Sequence, residues 1–201
     1  MPGILTDQAI QAAIELGRIR ITPWNPAQVN PCSYDLTLGE EVAVYEDWVE
    51  NTPYQAGDGQ FFEAKSHHRA ILDVKKEPIT KKYIIGKEGW VLRPGIGYLM
   101  HTAERIWTDS YVPIIDGKSS IGRLFIQIHA TAGFGDVGYD GQYTLEVIVQ
   151  HPVRVYAGMR IGQIRFHTLE GQVEKPYDVV GNYKNEAALG AVGSKAWRQF
   201  K

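Results

Sequence analysis

One cysteine, Cys32, stands among the 201 residues, which excludes an internal disulfide and any thiolate metal cluster. A chain so poor in thiols suits a reducing compartment. A basic excess is also missing. Lys and Arg number 21 against 23 Asp and Glu, a formal net charge of −2, which argues against a general nucleic-acid binder. No apolar run approaches the roughly 20 residues of a membrane span. The opening Met1-Pro2-Gly3-Ile4-Leu5-Thr6 lacks the basic segment and apolar stretch of a signal peptide. The expectation is a cytoplasmic protein with neither nucleic acid nor membrane as partner. His101, His129, His151 and His167 show no His-x-x-x-His spacing, and the adjacent His67 and His68 would point to opposite sides of a strand. All six are read as structural or surface residues, and a zinc centre built from a histidine and a Cys-x-x-Cys pair is excluded.

Helical periodicity is scarce too. Thr6 to Leu16 reads as one short amphipathic helix, capped by Thr6, with Ile10, Ala13 and Ile14 on one face and Gly17 at its end. Beyond it the chain breaks into short alternating segments: Ser33 to Leu38, Val42 to Tyr45, Trp90 to Arg93, Tyr98 to Thr102, Phe125 to His129, Gln142 to Val149 and Ile161 to His167. Pro31, Gly39, Pro94-Gly95, Gly138, Gly141, Pro152 and Gly158 punctuate them. Such spacing predicts a mainly β sandwich or barrel. Length, with 44% hydrophobic and 22% charged residues, fits one domain over residues 1–201. Glu46 to Lys87 is read as an excursion that returns to the sheet. From Asp178 the chain becomes a polar tail, rich in Gly and Ala, expected to order only over a ligand or a neighbouring subunit.

Between the strand-like stretches lies a concentration of chemistry. Asp116-Gly117-Lys118-Ser119-Ser120-Ile121-Gly122-Arg123 gathers hydroxyls and cations at a glycine turn. It fits a phosphate-binding turn, or an ordinary hairpin turn with solvated polar residues. Gly133-Phe134-Gly135-Asp136-Val137-Gly138-Tyr139 offers Asp136 to a sugar hydroxyl and Tyr139 to a ribose, or forms a plain Gly-Asp turn. In Tyr143-Thr144-Leu145-Glu146-Val147-Ile148-Val149, alternation places Thr144, Glu146 and Ile148 on one face and Leu145 and Val147 on the other. A carboxylate among apolar neighbours is a desolvated acid/base candidate, or an exposed charge on an edge strand.

Taken together and in order, these segments resemble the dCTP deaminase family. Its motifs are matched by Ile21-Thr22-Pro23, Asn30-Pro31-Cys32-Ser33-Tyr34-Asp35-Leu36-Thr37-Leu38-Gly39, Leu92-Arg93-Pro94-Gly95, Leu99 to Glu104, Gly117 to Leu124 and Gly158 to Gln163. The resemblance implies a distorted β-barrel or jelly-roll of the dUTPase kind, with a short N-terminal helix and a flexible tail over 178–201. It implies Glu146 as general acid/base, with Ser119 and Arg123 lining the reacting pyrimidine and organising water and phosphates. Asp136 matches the sugar-binding residue and Tyr139 the aromatic beside the deoxyribose. Tyr177 and Lys184 fall where the family's C-terminal segment reaches the phosphates. Lys118, Ser120, Ala132, Gly133, Phe134 and Gln163 complete the expected substrate-binding set.

The implied function is zinc-independent deamination of dCTP to dUTP and ammonia, feeding dUMP and dTTP synthesis. Magnesium is expected on the triphosphate only, in a homotrimer with sites between subunits, and dTTP as an inhibitor. Thr131-Ala132-Gly133-Phe134 resembles the bifunctional members, which continue to dUMP and pyrophosphate. A dUTPase, or a non-catalytic nucleotide-binding trimer, stands as a further alternative. Three positions depart from the family pattern. Lys118 replaces an arginine and lacks its bidentate fork. Gly135 replaces a bulky aliphatic and predicts a looser loop, and Ala188 replaces a glutamine.

Overall fold

The computed structural model describes residues 3–45, 72–184 and 190–201. Its first element is helix α1 (Asp7–Glu15), and the sequence signals for it are used as expected. Thr6 caps it by accepting from the Ala9 N–H, and Gly17 closes it with φ 69° and an N–H donated to the Ile14 carbonyl. Ile10 and Ala13 are buried against the β structure.

Twelve strands make up the rest of the framework among the described residues: β1 Ile19–Thr22, β2 Val29–Asn30, β3 Ser33–Thr37, β4 Glu41–Tyr45, β5 Thr80–Ile84, β6 Trp90–Leu92, β7 Tyr98–Thr108, β8 Tyr111–Gly117, β9 Ile126–Gln127, β10 Asp140–Val149, β11 Val153–Val155 and β12 Arg160–Thr168. The largest sheet runs β5-β4-β7-β10-β9, with β1 also on β7. A second runs β2-β3-β12-β8, and β6 pairs with β11. All pairings are antiparallel. The architecture is mainly β, as expected, but the sheets remain open and do not close into a barrel. No helix of the described residues is long and apolar enough to cross a membrane.

Among the elements that the reading of the sequence did not give, two bear on the site. Strand β8 carries no clear strand signal, because Pro113 and Gly117 read as breakers. It lies at the end of its sheet, where a proline is tolerated. The Lys118-Ser119-Ser120 segment is not a hairpin turn. It is a single helical turn, α2 (Ser119–Gly122), closed by N–H groups of Ile121 and Gly122 on the Lys118 carbonyl. One turn is too short for a periodic signal. The excursion does return to the sheet, since β5 pairs along the whole of β4. Its residues 46–71, with His67 and His68, lie outside the described residues, as does Ala188.

The core joins the inner faces of the larger sheets. Leu145 and Val147 of β10, Met100 and Ile106 of β7, Leu36 of β3 and Ile164 and Phe166 of β12 are each at most 1% exposed. Leu145 is the strand residue next to Glu146, so its packing also holds the register of the site. Leu145→Ala should destabilise the fold by about 2–5 kcal/mol, read as a fall in the urea midpoint at unchanged slope.

Candidate active site

Strand β10 pairs along β7, placing Glu146 opposite Leu99, with a register shift between Gln142 and Thr144. The pleat works as the alternation implied. Leu145 and Val147 are buried in the core, while Thr144 and Glu146 are half-buried on the other face. Burial pushes the Glu146 carboxyl above its ordinary 4.5, partly offset by the Ala130 N–H and by the neighbouring His129. The Ala130 N–H donates to Glu146 Oε2 at 3.4 Å. A carboxylate so placed takes up a proton more readily than one in water, as a general base requires.

Glu146 opens onto a cavity of about 470 Å³. Five of the expected residues share its wall with Glu146: Ala132, Phe134, Asp136, Tyr139 and Tyr177. The cavity is strongly aromatic, for Tyr45, Tyr143 and Tyr183 line it too. Burial raises the hydroxyl pKa of Tyr45, Tyr139, Tyr143 and Tyr177, so these phenols stay neutral donors. Tyr139 packs against Tyr143 at 4.8 Å between ring centroids and edge-on to Tyr177 at 5.3 Å. Tyr177 opens the short helix α3 (Tyr177–Val180), and its N–H donates to the Val137 carbonyl, tying α3 to the loop that carries Asp136. That loop is not slack at Gly135, contrary to expectation. The Gly135 N–H donates to Pro113 O, and a Cβ there would lie 2.8 Å from both Pro113 Cγ and the Tyr143 hydroxyl. The close approach requires glycine. Gly133 is also seated against β8, where Ile115 donates its N–H to the Gly133 carbonyl.

The remaining expected residues lie elsewhere. Lys118, Ser119, Ser120, Arg123, Gly133, Gln163 and Lys184 do not line this cavity. Lys118 Nζ is 2.7 Å from Asp35 Oδ1, and Arg160 Nη1 is 3.0 Å from Asp35 Oδ2. Asp35 is fully buried, and the Asn30 side-chain amide adds a third hydrogen bond at 2.8 Å. Two cations and an amide offset the desolvation of that carboxylate, so the Lys118 ammonium serves Asp35 in this chain. Gln163 bridges the Ser33 hydroxyl and the Gly117 carbonyl. Ser119, Ser120 and Arg123 are exposed. Lys184 donates to the Val179 carbonyl at 2.7 Å. No lysine or arginine lines the Glu146 cavity among the described residues.

Reading the sequence missed the cavity wall supplied from a distance: Tyr45 on β4, Tyr183, and Val192 and Ser194 of the tail. Nothing local marks them. Thr144 was within reach, since it shares the Glu146 face.

A family model described as dCTP deaminase-like matches residues 4–169. The chain belongs to that family. Among curated relatives, a protein named "dCTP deaminase, dUMP-forming" from Clostridium acetobutylicum is 42% identical over 171 residues, covering 85% of each chain. One of the same name from Hathewaya histolytica is 39% identical over 171 residues, or 85% of this chain and 86% of that one. The same fold occurs in the crystal structure of 2′-deoxycytidine 5′-triphosphate deaminase from Agrobacterium tumefaciens. It aligns with a TM-score of 0.60 and 24% identity over 92% of this chain, which spans 54% of that longer one.

The raised pKa of Glu146 has a consequence for stability. A carboxyl with a folded-state pKa above its unfolded value contributes stability below the unfolded value, and loses it as pH rises through the folded one. Ionised Glu146 therefore weighs against folding at neutral pH. Glu146→Gln should raise Tm at neutral pH, and the gain should shrink as pH falls toward 4.5, checked by thermal melts across that range.

Proposed function

We propose that this chain deaminates dCTP by hydrolysis and carries the dUTP formed on to dUMP and pyrophosphate. The observation that carries the reading is the desolvated Glu146 carboxylate sharing one tyrosine-lined cavity with Asp136. Two carboxylates serve two successive water attacks. The second step is favoured over release of dUTP by the dUMP-forming names of the curated relatives and by the Thr131-Ala132-Gly133-Phe134 segment.

In the first step Glu146 takes a proton from a water placed near Ser119 of a neighbouring subunit, and the hydroxide adds to carbon 4 of the cytosine. Glu146 passes that proton to ring nitrogen 3, then moves the proton of the new carbon-4 hydroxyl to the amino group, which leaves as ammonia as the carbonyl forms. Backbone groups around Ala132 and Gly133 hold the base and the water. Tyr139 packs on the deoxyribose, whose hydroxyl donates to Asp136. In the second step Asp136 orients a water for the α-phosphate, and pyrophosphate leaves. Magnesium enters on the triphosphate. Among the described residues no three His, Cys, Asp or Glu side chains are grouped to hold a metal.

Charge favours a site shared between copies. A cavity with two carboxylates and no lysine or arginine repels a triphosphate, whereas Lys118 and Arg123 stand on or beside α2, outside it. A neighbouring subunit of a homotrimer would bring its Ser119 and Arg123 to the Glu146 cavity.

Ion-exchange chromatography after incubation with dCTP and magnesium, with dUTP in parallel, tests the reaction. Appearance of dUMP from dCTP is expected. Persistent dUTP would remove the second step, and consumption of dUTP alone would overturn the deaminase. Glu146→Gln should cut ammonia release by about 10²–10⁴ while nucleotide binding persists. A mixing experiment tests the shared site. Ser119→Ala and Glu146→Gln proteins, each inactive, should regain turnover when unfolded and refolded together. A mixture as inactive as its parts would put the whole site in one subunit.

A further inference from the structure

The tail has few residues able to anchor it, yet residues 190–195 are seated on the body of their own chain, and Ala191 is fully buried. The seat uses the tail's backbone. The Ala191 N–H donates to Glu41 Oε1 at 3.0 Å and the Val192 N–H to Thr144 Oγ1 at 3.2 Å, while Thr144 Oγ1 donates to the Gly190 carbonyl at 3.4 Å. Farther along, the Ser194 N–H donates to the Tyr45 hydroxyl at 3.3 Å. A polar, Gly- and Ala-rich sequence suffices for such a contact, because the body's side chains read the tail's conformation rather than its side chains.

We propose that Glu41 and Thr144 are positioning residues that set the register of the tail over the Glu146 cavity. Three observations converge. Thr144 lies on the same face of β10 as Glu146, two residues away, and its one hydroxyl holds both sides of Ala191 by giving a hydrogen to residue 190 and accepting one from residue 192. The residues so fixed, Val192 and Ser194, are wall residues of the cavity. Gly190 has φ +68°, a conformation that favours glycine at the latch, and a Cβ there would stand 2.8 Å from Glu41 Oε1 and displace it. Glu41 is itself oriented by Lys82 Nζ at 2.8 Å. A slip of one residue would exchange Val192 for a neighbour and reshape the wall facing Glu146.

The kinetic arm of the test rests on the deaminase reading; the exchange arm does not. Hydrogen exchange of the Ala191 and Val192 amides is measured on the full chain without nucleotide. Thr144→Val should speed exchange on the order of tenfold, and Thr144→Ser should restore it. Gly190→Ala, which alters only the tail, should reproduce the loss in a protein whose core is untouched. With dCTP, Thr144→Val and Glu41→Ala should raise KM about tenfold with a smaller change in kcat, as expected for a displaced wall rather than a lost acid/base. Exchange in Thr144→Val or Gly190→Ala equal to that of the parent overturns the proposal, as does a failure of Thr144→Ser to restore it. Faster exchange in a protein that releases no ammonia from dCTP upholds the latch and overturns the deaminase.

Discussion

The antiparallel pairing of β7 with β10 is the constraint on which the site depends. One face of β10 must enter the core, because Leu145 and Val147 have no other favourable place. Once they do, the two-residue period of the strand presents Thr144 and Glu146 to the opposite side. A one-residue slip would bury the carboxylate and expose the leucine, so the same apolar burial that stabilises the sheet fixes the position and solvation of Glu146. The raised pKa is a result of that half-buried setting.

Charge is distributed by a different rule. The Glu146 cavity holds carboxylates and neutral phenols, while the cations of the Lys118 region are gathered around a buried Asp35. The Asp35 side chain ties β3 to the entry of α2 and adds to the backbone pairing of β3 with β12. A second buried carboxylate, Glu104, is held by the Thr37 N–H and hydroxyl and by the Gln28 amide, with no cation among the described residues. Fully hydrogen-bonded polar groups of this kind align elements that hydrophobic contact leaves free to slide. The Lys118 region and the Glu146 cavity thus lie apart on one chain, and the proposed reaction needs a symmetric assembly to bring them together.

Legibility varied with the range of the interaction. Helix α1, most strands and the two faces of β10 were readable, since caps, turns and alternation act within a few residues. Strand β8 and α2 were not. A proline at a sheet edge looks like a break, and one helical turn has no period. Gly135 misleads for a related reason. Its small size suggests slack in one dimension, but Pro113 and Tyr143 approach from other strands and leave no room for a side chain.

The sequence by itself determined that β10 would have one buried and one chemical face, that Glu146 would lie on the latter, and that the chain would turn at Gly138 between Asp136 and Tyr139. These are local consequences of the pleat and of backbone sterics. Only the tertiary structure decided that Tyr45, Tyr183 and the tail complete the cavity, that Lys118 is bound to Asp35, and that Glu41 and Thr144 hold residues 190–192. Those contacts join residues scores of positions apart, and their geometry is set by how the sheets pack, which no local pattern encodes.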